Sequence, residues 1–225
     1  MIRLIALAAA VCSILAQYAI WFYAPIERTM GVVQKIFYTH LPMAWWSFVS
    51  FFVVFVASIR YLAGRREKDA RLAGAAAELG VLFSGLALVT GMCWARPIWN
   101  VWWTWDPRLT TTLVMWFIYA AYLLLRASDV GGSRREAVLA VLGVVAFLDV
   151  PLVFISARYW RSIHPAVFGS QGGGLEPEMW VAALANLAAM GLLWLALLVA
   201  RTRQLAARAA VTNLVRRGVT GETHE

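Results

Sequence analysis

The chain has 225 residues, of which 62% are hydrophobic and 14% charged, and it carries a formal net charge of +8. Its mean hydropathy is +0.69. A soluble domain of this length has too little interior to hide so much apolar side chain, so soluble enzymes and soluble binding modules are excluded and an integral membrane protein is expected. The positive balance does not point to nucleic acid, because the basic residues follow the pattern of membrane loops.

A bilayer core about 30 Å thick is crossed by roughly 20 apolar residues in a helix. Six runs qualify, at about 4–23, 42–60, 75–94, 110–125, 138–156 and 179–200. They predict an all-α integral membrane protein, a six-transmembrane-helix bundle. The first run follows Arg3 and ends on bulky Trp21, Phe22 and Tyr23, so it is expected to stay as a membrane helix rather than act as a signal peptide. Residues 1–200 are expected to form one membrane domain. Residues 201–225 form a basic tail in which Ala, Leu and Val alternate with Arg, expected to continue as a helix along an anionic inner face.

An even number of spans places both termini on one side. That side, with linkers 61–74 and 126–137, holds fourteen of the twenty basic residues; the other side holds Arg28, Lys35, Arg96, Arg108, Arg158 and Arg161. Both termini are therefore expected in the cytoplasm of a bacterium, across its inner membrane. Segments 24–41, 95–109 and 157–178 then face the periplasm. The last of these contains Gly172, Gly173 and Gly174, either a closing flap or plain slack. Cys12 and Cys93 are expected near opposite faces. No CxxC pair exists, which excludes CxxCH attachment of a cofactor and thioredoxin-like chemistry.

The outer segment from Trp94 to Arg108 reads WARPIWNVWWTWDPR, with five tryptophans in fifteen residues. Indoles make a broad, flat shelf with few hydrogen bonds to offer, suited to a flat, mostly apolar ligand. Ten of the twelve tryptophans map to the outer end and only Trp116 and Trp194 lie deeper, whereas an ordinary interfacial belt serves both faces. Within the segment, Trp99, Trp102, Trp103 and Asp106 fit one face of a helix, while Trp99, Val101, Trp103 and Trp105 fit one face of a strand. Asp106 reads equally as a cap for the next helix or as a functional acid.

His40 and His164 flank this segment at the same outer end, each followed by a proline one or two residues on, and Pro42 suits a helix start just after it. Two imidazoles on either side of a flat ligand suit the iron of haem. Zinc is possible with Glu27, Asp106, Glu176 and Glu178 nearby, but does not account for the tryptophans. Arg96, Arg108, Arg158 and Arg161 suit the two haem propionates or phospholipid. Asp149, inside the fifth span, serves either a ligand site or a neighbouring helix.

WARPIWNVWWTWDPRLTT, FYTHLPMAWWS and FLDVPLVFISARYWRSIHP resemble the WWD-motif haem-handling proteins of cytochrome c maturation. Six spans and one histidine on each side of the motif single out the CcmC family, over about residues 30–200. Ala95 and Asn100 stand where glycine is common in that family, Pro107 where alanine is, and Tyr159 where a second tryptophan is. The resemblance implies haem b as cofactor, with His40 and His164 as iron ligands. It also implies that Trp99, Trp102, Trp103, Trp105, Asp106 and Arg108 form the platform that presents it to the haem chaperone CcmE. CcmA, CcmB and CcmD are the implied complex partners, with membrane lipid around them and no nucleic acid. No GxxxxGK[ST] occurs in the chain, so ATP must be bound by a partner. The implied task is binding and presentation more than catalysis. A membrane b-type cytochrome and a haem transporter subunit are the alternatives.

Overall fold

A computed structural model describes residues 2–128, 132–159 and 175–220. Among them the regular structure is helical: α1 (Ile2–Tyr18), α2 (Phe37–Gly64), α3 (Glu67–Trp99), α4 (Pro107–Ala127), α5 (Arg135–Ala146), α6 (Asp149–Tyr159) and α7 (Pro177–Thr220). A π-helical turn, Ala19–Tyr23, extends α1, and a 3-10 turn, Val32–Ile36, leads into α2. Six stretches are long and apolar enough to cross a membrane, in the expected order.

The helices overrun the apolar runs because capping and backbone geometry, not hydropathy, set their ends. α2 stops where Arg65 turns left-handed at φ 50°, and α3 where Asn100 does so at φ 56°. α7 is continuous for 44 residues, about 66 Å at 1.5 Å per residue, and includes residues 201–220. The fifth span was expected as one helix and is instead two. Pro151 has no N–H for the carbonyl of Phe147, four residues back. Val150 N–H takes that carbonyl at 3.1 Å instead, and the chain turns through Phe147 and Leu148.

Pro42 departs from expectation in the opposite sense. α2 begins at Phe37, so both His40 and Pro42 lie inside it. Proline at 42 leaves the Tyr38 carbonyl without its helical donor. The buried Asn186 of α7 donates its side-chain amide to that same carbonyl. The helix survives because a neighbouring helix supplies the missing hydrogen bond.

α2 packs most extensively on α3, α1 on α7, and α4 on α3 and α6. The larger core lies from the middle of the bundle toward the arginine-rich turns, with Phe51 stacked on Tyr119 at 3.8 Å. A Cβ on Gly80 would stand 2.4 Å from the Phe51 ring, so only glycine admits this approach of α3 to α2. Trp194 donates to Ser50 Oγ at 2.8 Å and stacks on Trp46, which donates to Leu187 O at 3.0 Å. Arg201 grips Glu78 through two nitrogens and ties α7 to α3.

A second cluster, with Ile20, Phe37, Tyr38, Trp94, Met179 and Ala182, fills the tryptophan-rich end. Lys35 is buried there. Its Nζ donates to Ile20 O at 2.7 Å and Trp21 O at 3.1 Å, which closes the carbonyl end of the first span. The candidate site rests on this cluster.

Candidate functional site

His40 lies in the first turns of α2 and faces α3. Its Nδ1 is 3.0 Å from Ala87 O and 3.1 Å from Thr90 Oγ1. A carbonyl can only accept, so Nδ1 carries the proton and the ring's basic lone pair is on Nε2. Anchoring one ring nitrogen on a backbone carbonyl is how metal-binding imidazoles are oriented. A Cβ on Gly91 would stand 3.2 Å from His40 Cε1, so the glycine lets the ring lie close against α3. Trp94 meets the imidazole edge-on at 6.0 Å and links it to Phe37 at 5.9 Å and Trp99 at 6.4 Å. Arg108 is close enough to act electrostatically on His40.

The tryptophan segment is neither a single helix nor a strand. Trp94, Arg96, Pro97 and Trp99 belong to the last turns of α3. Arg96 donates to the carbonyl and the side chain of Asn100, sealing the helix end. Residues 101–106 then run without regular structure. Trp102 and Trp105 are 59% and 76% exposed, while the half-buried Trp103 meets Trp105 edge-on at 5.9 Å. The indoles thus form an inner pair, Trp94 and Trp99, and a loop pair, Trp103 and Trp105, with Trp102 turned outward. Trp94 Nε1, Trp103 Nε1, Thr104 Oγ1 and Thr110 Oγ1 are buried without a hydrogen-bond partner among the described residues. Buried donors of that kind need an acceptor, which the carboxylates of a ligand can supply.

Asp106 is the N-cap of α4. Its Oδ1 accepts from Arg108 N–H at 2.9 Å, and Pro107 occupies the first helical position, where its missing N–H costs nothing. Asp106 is buried, and the half-buried Arg108 stands over the start of the helix. His164, Trp160, Arg161 and Gly172–Gly174 lie outside the described residues. Among the described residues no three His, Cys, Asp or Glu side chains converge as a zinc site requires. Both cysteines are free, and Cys12 falls near the middle of the first span rather than at a face. Asp149 opens α6 on the face packed against α4, with Oδ2 buried and unpartnered among the described residues.

The sequence pattern did not mark Thr90, Gly91 or Asn186. Thr90 and Gly91 form the surface against which His40 is set, and Asn186 holds the turn of α2 that carries it. The one signal was their chemistry, a Thr-Gly pair and a lone Asn within apolar runs.

A family model described as CcmC, heme exporter protein C, matches residues 1–217. The chain belongs to the CcmC family. It is similar to heme exporter protein C of Bradyrhizobium diazoefficiens, 33% identical over 193 residues, which are 85% of this chain and 73% of that protein. It is 30% identical to heme exporter protein C of Rhodobacter capsulatus over 81% of this chain and 77% of that one. A putative cytochrome c biosynthesis ccmC-like mitochondrial protein of Arabidopsis thaliana is 30% identical over 81% of this chain and 69% of its own length. The CcmC match runs through all six spans and the tryptophan segment.

Proposed function

We propose that this CcmC-family protein binds haem b at the tryptophan-rich end of the bundle and presents it to the haem chaperone CcmE during c-type cytochrome biogenesis. His40 and His164 serve as axial ligands, with Trp99, Trp102, Trp103, Trp105, Asp106 and Arg108 as the platform. The observation that carries this reading is the His40 imidazole, whose Nδ1 is held by the Ala87 carbonyl so that Nε2 bears the lone pair. Haem, as cargo, supplies an iron that takes imidazole nitrogen and two propionates that take cations. Arg108 supplies the cation beside His40, and Trp103 Nε1, Thr104 and Thr110 supply donors nearby. Exposed Trp102 and Trp105 face outward, where a chaperone docks.

The site faces the periplasm and the protein lies in the inner membrane, with cytoplasmic termini and residues 201–225 as a basic tail. The distribution of arginine supports this orientation. CcmA, CcmB and CcmD complete the complex, and CcmA and CcmB provide ATP-driven release of the loaded chaperone. The test is the absorption spectrum and haem content of the purified protein with and without each histidine. His40→Ala and His164→Ala are each expected to lower retained haem and shift the spectrum. Unchanged content and spectra in both variants would remove the ligand assignment.

A further inference from the structure

Toward the arginine-rich end, the surface of α2 carries a groove of about 190 Å³ lined by Phe52, Val53, Val56 and Ala57 and by Leu72 of α3, with Arg60 at one end. Phe52 and Val56 are 52% and 37% exposed on a helix that crosses the membrane, so the groove opens toward lipid. Its lining is apolar for about one and a half turns, from Phe52 to Ala57, and then meets a fixed cation. Arg60 Nε lies 3.2 Å from Asp69 Oδ1, and Asp69 is buried, so the guanidinium is pinned at the mouth. The Arg60 side chain is still 53% exposed, and the guanidinium fork carries five N–H donors to offer a further anion. Arg65, Arg66, Lys68 and Arg71 crowd the same turn, against only Glu67 and Asp69.

We propose that this groove binds one anionic phospholipid, with an acyl chain along Phe52, Val56 and Leu72 and the phosphate on Arg60. An apolar slot alone accepts any lipid tail. Arg60 at its end, in a stretch (residues 60–71) whose five basic and two acidic residues leave a net charge of +3, favours a headgroup with net negative charge. The assignment is independent of the haem reading, since it involves the opposite end of the bundle.

The full chain in detergent is titrated with palmitoyl-oleoyl phosphatidylglycerol or phosphatidylcholine, and bound lipid is counted by native mass spectrometry alongside thermal unfolding. One phosphatidylglycerol should bind in preference to phosphatidylcholine. Arg60→Gln should lower that preference about fivefold, the effect of one arginine at an anionic surface. Val56→Trp, on the lipid face, should fill the groove and release both lipids, and it tests the site even if Arg60→Gln destabilises the turn by unpairing Asp69. Arg203→Gln, exposed on α7, should change nothing. Equal binding of the two lipids, an equal loss with Arg203→Gln, or full retention with Val56→Trp would each overturn the proposal. Complete displacement by glycerol phosphate, which has no acyl chain, would also overturn it in favour of a free-phosphate site.

Discussion

Two prolines show how single residues are accommodated differently in the same bundle. At Pro151 the helix gives way, while at Pro42 it holds because Asn186 donates to the orphaned Tyr38 carbonyl. Asn186→Ala strips that donor, and an unpaired buried carbonyl costs about 1 to 3 kcal/mol. In a Pro42→Ala background the N–H of residue 42 reaches Tyr38 O itself, so the same change should cost much less. Thermal unfolding of the four proteins measures both losses, and equal losses would refute the replacement. His40 was legible in the sequence as a polar residue closing a loop of apolar and aromatic neighbours. Its orientation was not, because the acceptor that fixes its tautomer is the backbone of Ala87, which no residue type encodes. The link between Pro42 and Asn186 was readable in principle: a proline inside a span obliges some donor elsewhere, and an asparagine in an apolar run needs an acceptor.

At the scale of elements, the connection from α3 to α4 combines a left-handed stop at Asn100, a loop of exposed and half-buried indoles, and a start capped by Asp106. Capping and a role toward ligand or chaperone make different predictions for two variants. Asp106→Ala removes the cap and should lower stability by about 1 kcal/mol, whereas Asp106→Asn caps equally well and should unfold like the wild type. Thermal unfolding separates these effects, and an Asp106→Ala protein as stable as wild type would show that the cap contributes nothing. Haem retention lost in Asp106→Asn alongside intact stability would place the acid's charge in the site. The tryptophan cluster was legible as composition, but its division between helix and loop was not. Its spacing satisfies periods of 3.6 and 2 at once, and the deciding feature, a positive φ at Asn100, is a property asparagine permits without requiring. The split fifth span was hidden for a related reason: a proline near the end of an apolar run either kinks or is rescued, depending on what packs beside it.

For the whole molecule, the number and order of spans follow from hydropathy alone, because lipid admits only helices of a set length here. Which helices touch does not follow, since every span offers a similar apolar surface. Depth also divides the tryptophans. Trp102 and Trp105 are exposed, while Trp194 is stacked on Trp46 and bonded to Ser50. Replacing Trp102 and Trp105 together by Ala should leave stability within about 0.5 kcal/mol but weaken co-purification with the tagged chaperone. Trp194→Ala should cost about 3 to 5 kcal/mol of stability. Unaltered chaperone capture by the double variant would reduce the loop tryptophans to interfacial anchors.

The amide of Asn186 has a consequence for α7 as a sliding rod. Apolar helices in lipid gain little from one axial position over the next, since tails and side chains are equally greasy. The carbonyl left open by Pro42 sits at a single height on α2, and only a donor at the matching height on α7 can meet it. A one-turn slip would strand both groups in a low-dielectric interior. Proline and asparagine together therefore act as a detent that sets the vertical register of a 44-residue helix against α2, two residues along from His40.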